Sequence, residues 1–203
     1  MQNEILMTRS RGLFVAWGLN NGQFTPATLA KTAAEAGFTW IALQTEENSV
    51  YFSSVREACE RNRIAFGLWE ADPTPGSGAA YVSEAGAGFY IAQAEGPRDW
   101  GAITADFRSY YPRLPAAVVT NFGGLEDPVN CVPIVDAQFS CLTECYVIDN
   151  PNATIANQDV MARQRGWRTS QPVLGLYHGV TYEDYDLKCL NGWSVWLAES
   201  LFE

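Results

Sequence analysis

Eight short strand-like runs recur along the chain, and a helix-like segment separates most of them. They are LFVAWG from Leu13, TWIALQ from Thr39, AFGLWE from Ala65, FYIAQAE from Phe89, AAVVTN from Ala116, CYVIDN from Cys145, PVLGLYH from Pro172 and GWSVWLAE from Gly192. Strand, crossover and strand in regular alternation implies right-handed connections and a parallel sheet. Successive runs start about 20 to 30 residues apart, the length of one strand plus one crossover in a compact unit. So even a beat favours closure, and we expect an α/β chain that folds as one (β/α)8 barrel spanning residues 1–203.

The connecting segments carry helix punctuation. After the first run, Thr25 is placed to cap a helix that begins at Pro26, with Leu29, Ala33 and Ala36 facing the sheet and Gly37 ending it in a left-handed turn. In the fourth unit Asp99 caps, and Trp100, Ile103, Phe107 and Tyr110 recur at helical spacing before Pro112 stops the run. The sixth, ATIANQDVMARQRGW, ends at Gly166. The third (GSGAAYVSEAG) and the fifth (about Asp127 to Phe139, interrupted by Pro133) are expected to be short or irregular. The whole is expected to be a TIM-type barrel without linker or second domain.

Charge narrows the function. With 23 acidic against 13 basic side chains the net charge is −10, so the long-range field repels phosphate backbones and anionic lipid surfaces. Nucleic acid is an unsuitable partner. No segment reaches the roughly 18 consecutive apolar residues of a membrane span, and MQNEILMTRSRGLF lacks the apolar core of a signal peptide. We therefore expect a chain made in the cytoplasm, without membrane insertion. The five cysteines (Cys59, Cys131, Cys141, Cys145, Cys189) are odd in number and scattered, which fits buried reduced thiols better than a disulfide framework. They contain no paired C-x-x-C, and His178 is the only histidine, so no metal site is assigned.

In such barrels the loops after the strands build the functional face. Acidic and amide residues collect there. The second run leads into Glu46 and Glu47, the third ends in Glu70, and the fourth in Gln93 and Glu95; Asn121, Asp149, His178 and Glu199 end the last four. Trp17, Trp69, Tyr177 and Trp196 are interleaved with them. A single strand-end glutamate is ordinarily a cap, a solvated side chain or half of an ion pair. Several around one mouth, with few cations such as Arg98 nearby, raise one another's pKa and keep a proton donor beside an ionised neighbour. That pairing, framed by aromatic rings, suits cleavage of a glycosidic bond. No G-x-S-x-G elbow, phosphate-cradling loop or dinucleotide glycine pattern is present.

The order of these features resembles the glycoside-hydrolase-like barrels of phage and actinobacterial proteins, and more distantly the muramidases of glycoside hydrolase family 25. In those muramidases the fourth strand ends in Asp-x-Glu, the Glu being the proton donor. QAEG puts Gln93 and Glu95 at the matching positions, so the resemblance implies Glu95 as general acid. Gln93 departs from the pattern, because an amide orients a substrate or water but is no base. The first strand also lacks the family's acid, offering Asn20 in VAWGLN.

We accordingly expect a divergent glycoside hydrolase acting on peptidoglycan or another bacterial cell-wall or surface polysaccharide, with no metal or organic cofactor. Glu95, Glu70, Asp149 and Glu199 are the candidate catalytic carboxylates; Trp17, Trp69, Gln93, Asn121, Tyr177 and His178 are the candidate sugar contacts. The alternative is a catalytically degenerate barrel that binds glycan and other virion proteins as part of a phage tail. A sugar-phosphate barrel is disfavoured, since the acidic HGVTYEDYD would repel phosphate.

Overall fold

The computed structural model describes residues 10–16, 19, 22–94, 98–120, 128–146, 154–174 and 192–196, with the backbone alone at 47 and 128–130. Eight strands form one sheet: β1 (Arg11–Val15), β2 (Trp40–Gln44), β3 (Ala65–Glu70), β4 (Tyr90–Gln93), β5 (Ala116–Thr120), β6 (Ser140–Cys145), β7 (Ser170–Leu174) and β8 (Trp193–Trp196). Each pairs in parallel with the next, and β8 returns to β1, so the sheet closes on itself. Helices α1 (Pro26–Glu35), α2 (Phe52–Asn62), α3 (Ser77–Ala85), α4 (Trp100–Tyr110), α5 (Pro128–Asp136) and α6 (Ile155–Gln164) follow the first six strands in turn. This is the expected (β/α)8 architecture.

Local chemistry explains the helices. Thr25 and Thr28 form a reciprocal capping box, each side-chain oxygen accepting from the other's backbone N–H, at 3.2 and 2.9 Å. Pro26 opens α1, and Gly37 leaves it at φ +81°, a left-handed conformation that glycine adopts without strain. Leu29, Ala30 and Ala33 form its buried face, whereas Ala36 is exposed. Asp99 caps α4 by accepting from the Ala102 N–H at 2.9 Å. Trp100, Ile103 and Phe107 are buried as the spacing implies, but Tyr110, one turn further, is 69% exposed and not part of the core. The third crossover is short and regular, and the fifth is continuous through Pro133. A prolyl ring there removes one hydrogen bond, yet its carbonyl still accepts from the Ala137 N–H at 3.0 Å.

One strand differs in position. The sixth is SCLTEC, Ser140–Cys145, and not CYVIDN beginning at Cys145. It pairs Cys141–Cys145 with Ser170–Leu174 of β7, which moves the strand about five residues towards the amino terminus of the apolar run.

The sheet divides the apolar side chains into two sets. Leu13, Ile41, Leu68, Tyr90, Val118, Cys141 and Val195 pack outward against the helices. Phe14, Trp40, Trp69, Phe89, Ile91, Leu142 and Val173 fill the barrel. The interior is plugged near the strand starts, where Trp40 lies over Gly12 so closely that a Cβ there would sit 1.8 Å from the indole. Phe89 covers Gly67 in the same way, at 2.3 Å. Such large rings, each worth about 1.5–3 kcal/mol on burial, need glycine opposite them to fit. No helix among the described residues is long and apolar enough to cross a membrane.

Candidate functional site

Strand parity decides which tip residues face the barrel. On β6, Leu142 is an interior residue and Glu144 lies two positions on, paired with the interior Val173. Glu144 therefore points inward, and it is 3% exposed. By the same reasoning Gln44 is inward, beside Trp69, and Gln93 is inward, beside Val119.

Glu144 belongs to a connected group. Its Oε1 accepts from the Tyr146 hydroxyl at 3.0 Å, and that hydroxyl in turn receives the Trp196 Nε1–H. The Trp196 ring lies 4.5 Å from Trp69 and 4.4 Å from Phe14, centroid to centroid. Trp69 is 6% exposed, and its Nε1–H has no hydrogen-bond partner among the described residues. Among the described residues, the inward positions of the strands carry no lysine or arginine. The sequence holds only two lysines, and Lys31 is solvent-exposed on α1.

Glu70 is positioned differently from the expectation that it joins the mouth. It follows the interior Trp69 by one residue and pairs with Ala92, so its side chain is turned towards the helices. There it is 2% exposed and accepts from the Tyr90 hydroxyl. Gly78 of α3 makes room for that contact, since a Cβ there would lie 2.6 Å from Tyr90 Cζ. Burial pushes the Glu70 carboxyl above its usual range; the hydroxyls of Ser77 and Tyr90 pull it back, and Glu46 and Asp72 raise it further. Tyr90, fully enclosed beside that carboxylate, is held well above the usual phenol value by its burial first. Arg98, one of the few cations close in sequence to the expected mouth, pairs with Asp72 and donates to the Pro73 carbonyl at 3.4 Å. It ties the segment after β4 to the loop after β3.

Of the ten candidate residues, the structure brings Trp69 and Gln93 to the barrel interior and Glu70 to the helix side. Trp17, Glu95, Asn121, Asp149, Tyr177, His178 and Glu199 lie outside the described residues. Glu46 is exposed on a one-turn helix, Thr45–Asn48. The thiols of Cys59 and Cys145 are pushed up to about 12, and that of Cys141 well above its usual value, chiefly by burial, which keeps them protonated and poor ligands. Among the described residues no three His, Cys, Asp or Glu side chains gather as a metal site.

Glu144 and Tyr146 were not among the candidates. The alternation of Ser140, Leu142 and Glu144 against Cys141, Thr143 and Cys145 is the signal that finds them, once the strand is begun at Ser140. The group can bind a hydroxyl, exchange a proton through Glu144 and press a ring against indole.

No protein-family model matches the sequence, and no curated protein is similar to it. Solved structures with a similar fold include a cube-shaped, porous protein cage designed by fusing symmetric oligomeric domains, with 11% identity and a TM-score of 0.59 over 94% of this chain. The chain spans 63% of that protein. The catalytic domain of a hyperthermophilic chitinase from Pyrococcus furiosus aligns with 11% identity and a TM-score of 0.62, covering 94% of this chain and 84% of that one. The 3-hexulose-6-phosphate synthase of Salmonella typhimurium aligns with 12% identity and a TM-score of 0.57, covering 92% and 88%. At such identities the likeness is one of fold, and the fold serves unrelated reactions. The chain is a TIM-type barrel, the architecture also used by the chitinase domain.

Proposed function

We propose that the protein is a divergent glycoside-hydrolase-like barrel that takes a bacterial cell-wall or surface polysaccharide at the carboxyl-terminal mouth of its sheet. The observation that carries this reading is the inward-facing Glu144, partnered by a phenol and walled by Trp69 and Trp196, with no cation among the described inward positions. Aromatic walls receive the apolar face of a sugar ring, and a buried carboxylate supplies proton-transfer or oxocarbenium-stabilising chemistry. A phosphorylated substrate would find no lysine or arginine among the described inward positions. A Schiff-base mechanism would need a lysine that the described interior lacks.

Glu95 is the general acid in this proposal, on the resemblance of QAEG to the muramidase pattern. Asp149 and Glu199 are proposed as further carboxylates acting with it. Glu70, turned to the helices, is given no reacting role. Incubation with peptidoglycan and surface polysaccharides, followed by a reducing-end assay, tests the proposal. Glu95→Gln is expected to lower release at least about a hundredfold, the lower bound for losing a general acid, while glycan binding survives. Undiminished release would remove Glu95 from the mechanism.

The inward Gln93 favours a second reading, because an amide stands where the resembling family has an acid. In that reading the barrel binds glycan as part of a phage virion without cutting it. Retained binding with no release from any substrate would select it.

A further inference from the structure

The barrel interior holds an indole donor with no partner among the described residues, linked through Trp196 and Tyr146 to a carboxylate. Trp69 enters from β3, more than nine-tenths buried, and its Nε1–H finds no acceptor among the described residues. Buried donors are nearly always paired, so an orphan inside a barrel marks a place where an acceptor belongs. Glu144 enters from β6, equally enclosed, and the two oxygens of a carboxylate accept several bonds at once. Trp196 joins them: its ring rests on Trp69, and its own N–H is given to the Tyr146 hydroxyl that donates to Glu144.

We propose that Trp69 and Glu144 form a subsite for one neutral, hydroxyl-bearing ring, a single sugar unit, which offers an oxygen to Trp69 Nε1–H and a hydroxyl proton to Glu144. This rests on the carbohydrate reading above and deepens it. The choice of ligand class follows from the donor and acceptor together. An ammonium group would satisfy Glu144 but has no lone pair for the indole. A phosphate or carboxylate would satisfy the indole but brings no hydrogen for Glu144 to accept, and it meets no basic side chain among the described inward positions. Only a group that both gives and receives, as hydroxyls do, completes the two at once. Trp196 and Tyr146 are the half-buried members of the group, so the ring enters on their side.

The test uses the whole chain and the N-acetylglucosamine trimer, a neutral oligosaccharide, with glucose 6-phosphate as the anionic contrast. Calorimetric titration is expected to show that the trimer binds and the phosphate does not. Trp69→Phe, which keeps a ring but removes the N–H, and Glu144→Gln are each expected to weaken the trimer about tenfold, the effect of one hydrogen bond. In the wild-type protein the indole ¹H–¹⁵N signal that Trp69→Phe removes is expected to shift when trimer is added, a readout that needs no variant to keep its affinity. An unmoved signal, an unweakened Trp69→Phe or a preference for the phosphate overturns the subsite. Polysaccharide release with any of these results leaves the hydrolase reading standing alone. Trimer binding that is sensitive to Trp69→Phe, without release from any polysaccharide, keeps the subsite and removes the hydrolase. If neither binding nor release occurs, both fall.

Discussion

Two glutamates near strand ends, Glu70 and Glu144, are buried to almost the same degree and sit on opposite faces of one sheet. Glu70 is enclosed between sheet and helices, where Tyr90 and Ser77 supply hydroxyls and α3 contributes a glycine to let the phenol in. Glu144 is linked through Tyr146 to Trp196, whose ring meets Trp69, an indole with no hydrogen-bond partner among the described residues. One carboxylate is part of the packing between layers; the other faces the barrel interior. Burial alone therefore does not mark a reacting group, and the side of the sheet on which it lies carries the distinction.

The contrast is sharpest where glycine permits it. On the inner side, Gly12→Ala would drive a methyl into the Trp40 ring, with no room to yield because Trp40 is fully enclosed. Overpacking of this kind costs about 3 kcal/mol at the upper end of its usual range, read as a fall in the urea midpoint. On the outer side, Tyr90→Phe is expected to cost about 1–3 kcal/mol, because it strips a donor from a buried carboxylate. If that variant is as stable as wild type at neutral pH, Glu70 is not held as described. The gentlest expected change is in a slope. The Glu70 carboxyl is raised above its usual 4.5, so the folded state favours its neutral form. Its contribution to stability is complete below the unfolded-state value and is lost as pH rises through the folded one. Glu70→Gln is thus expected to gain on wild type as pH climbs from about 4 towards neutrality. A variant-minus-wild-type stability difference that stays constant or falls over that range would contradict the raised carboxyl.

How far the sequence could be read depends on which faces of a strand are apolar. WIALQ and AFGLWE are buried on both sides, stand out as unbroken runs, and lie within a residue of their expected bounds. The same property hides orientation: with no polar alternation in AFGLWE, nothing in the sequence says that Trp69 turns in and Glu70 out. SCLTEC fails in the opposite way. Its serine, threonine and glutamate dilute the apolar signal, although the strand is buried throughout, so the more apolar CYVIDN drew the assignment and Glu144 fell just before it. Helix bounds were legible where the backbone demands particular chemistry, at Thr25, Gly37, Asp99 and Gly166. Tyr110 was misjudged because helical spacing gives a face but not its length, and the last turn of α4 runs past the sheet's cover.

Closure of the ring has a consequence for synthesis. The seam is made by Arg11–Phe14 against Trp193–Trp196, and the Gln171 amide donates to the Ser10 hydroxyl at 2.8 Å across 161 residues of chain. A ribosome must deliver the chain as far as Trp193 before the first strand meets its second neighbour. Until then the nascent polypeptide carries a raw edge of unpaired amides and carbonyls, open to the wrong partner. Contacts this distant along the chain also slow folding, so the last few residues of the seam act as a clasp that ends the period of exposure.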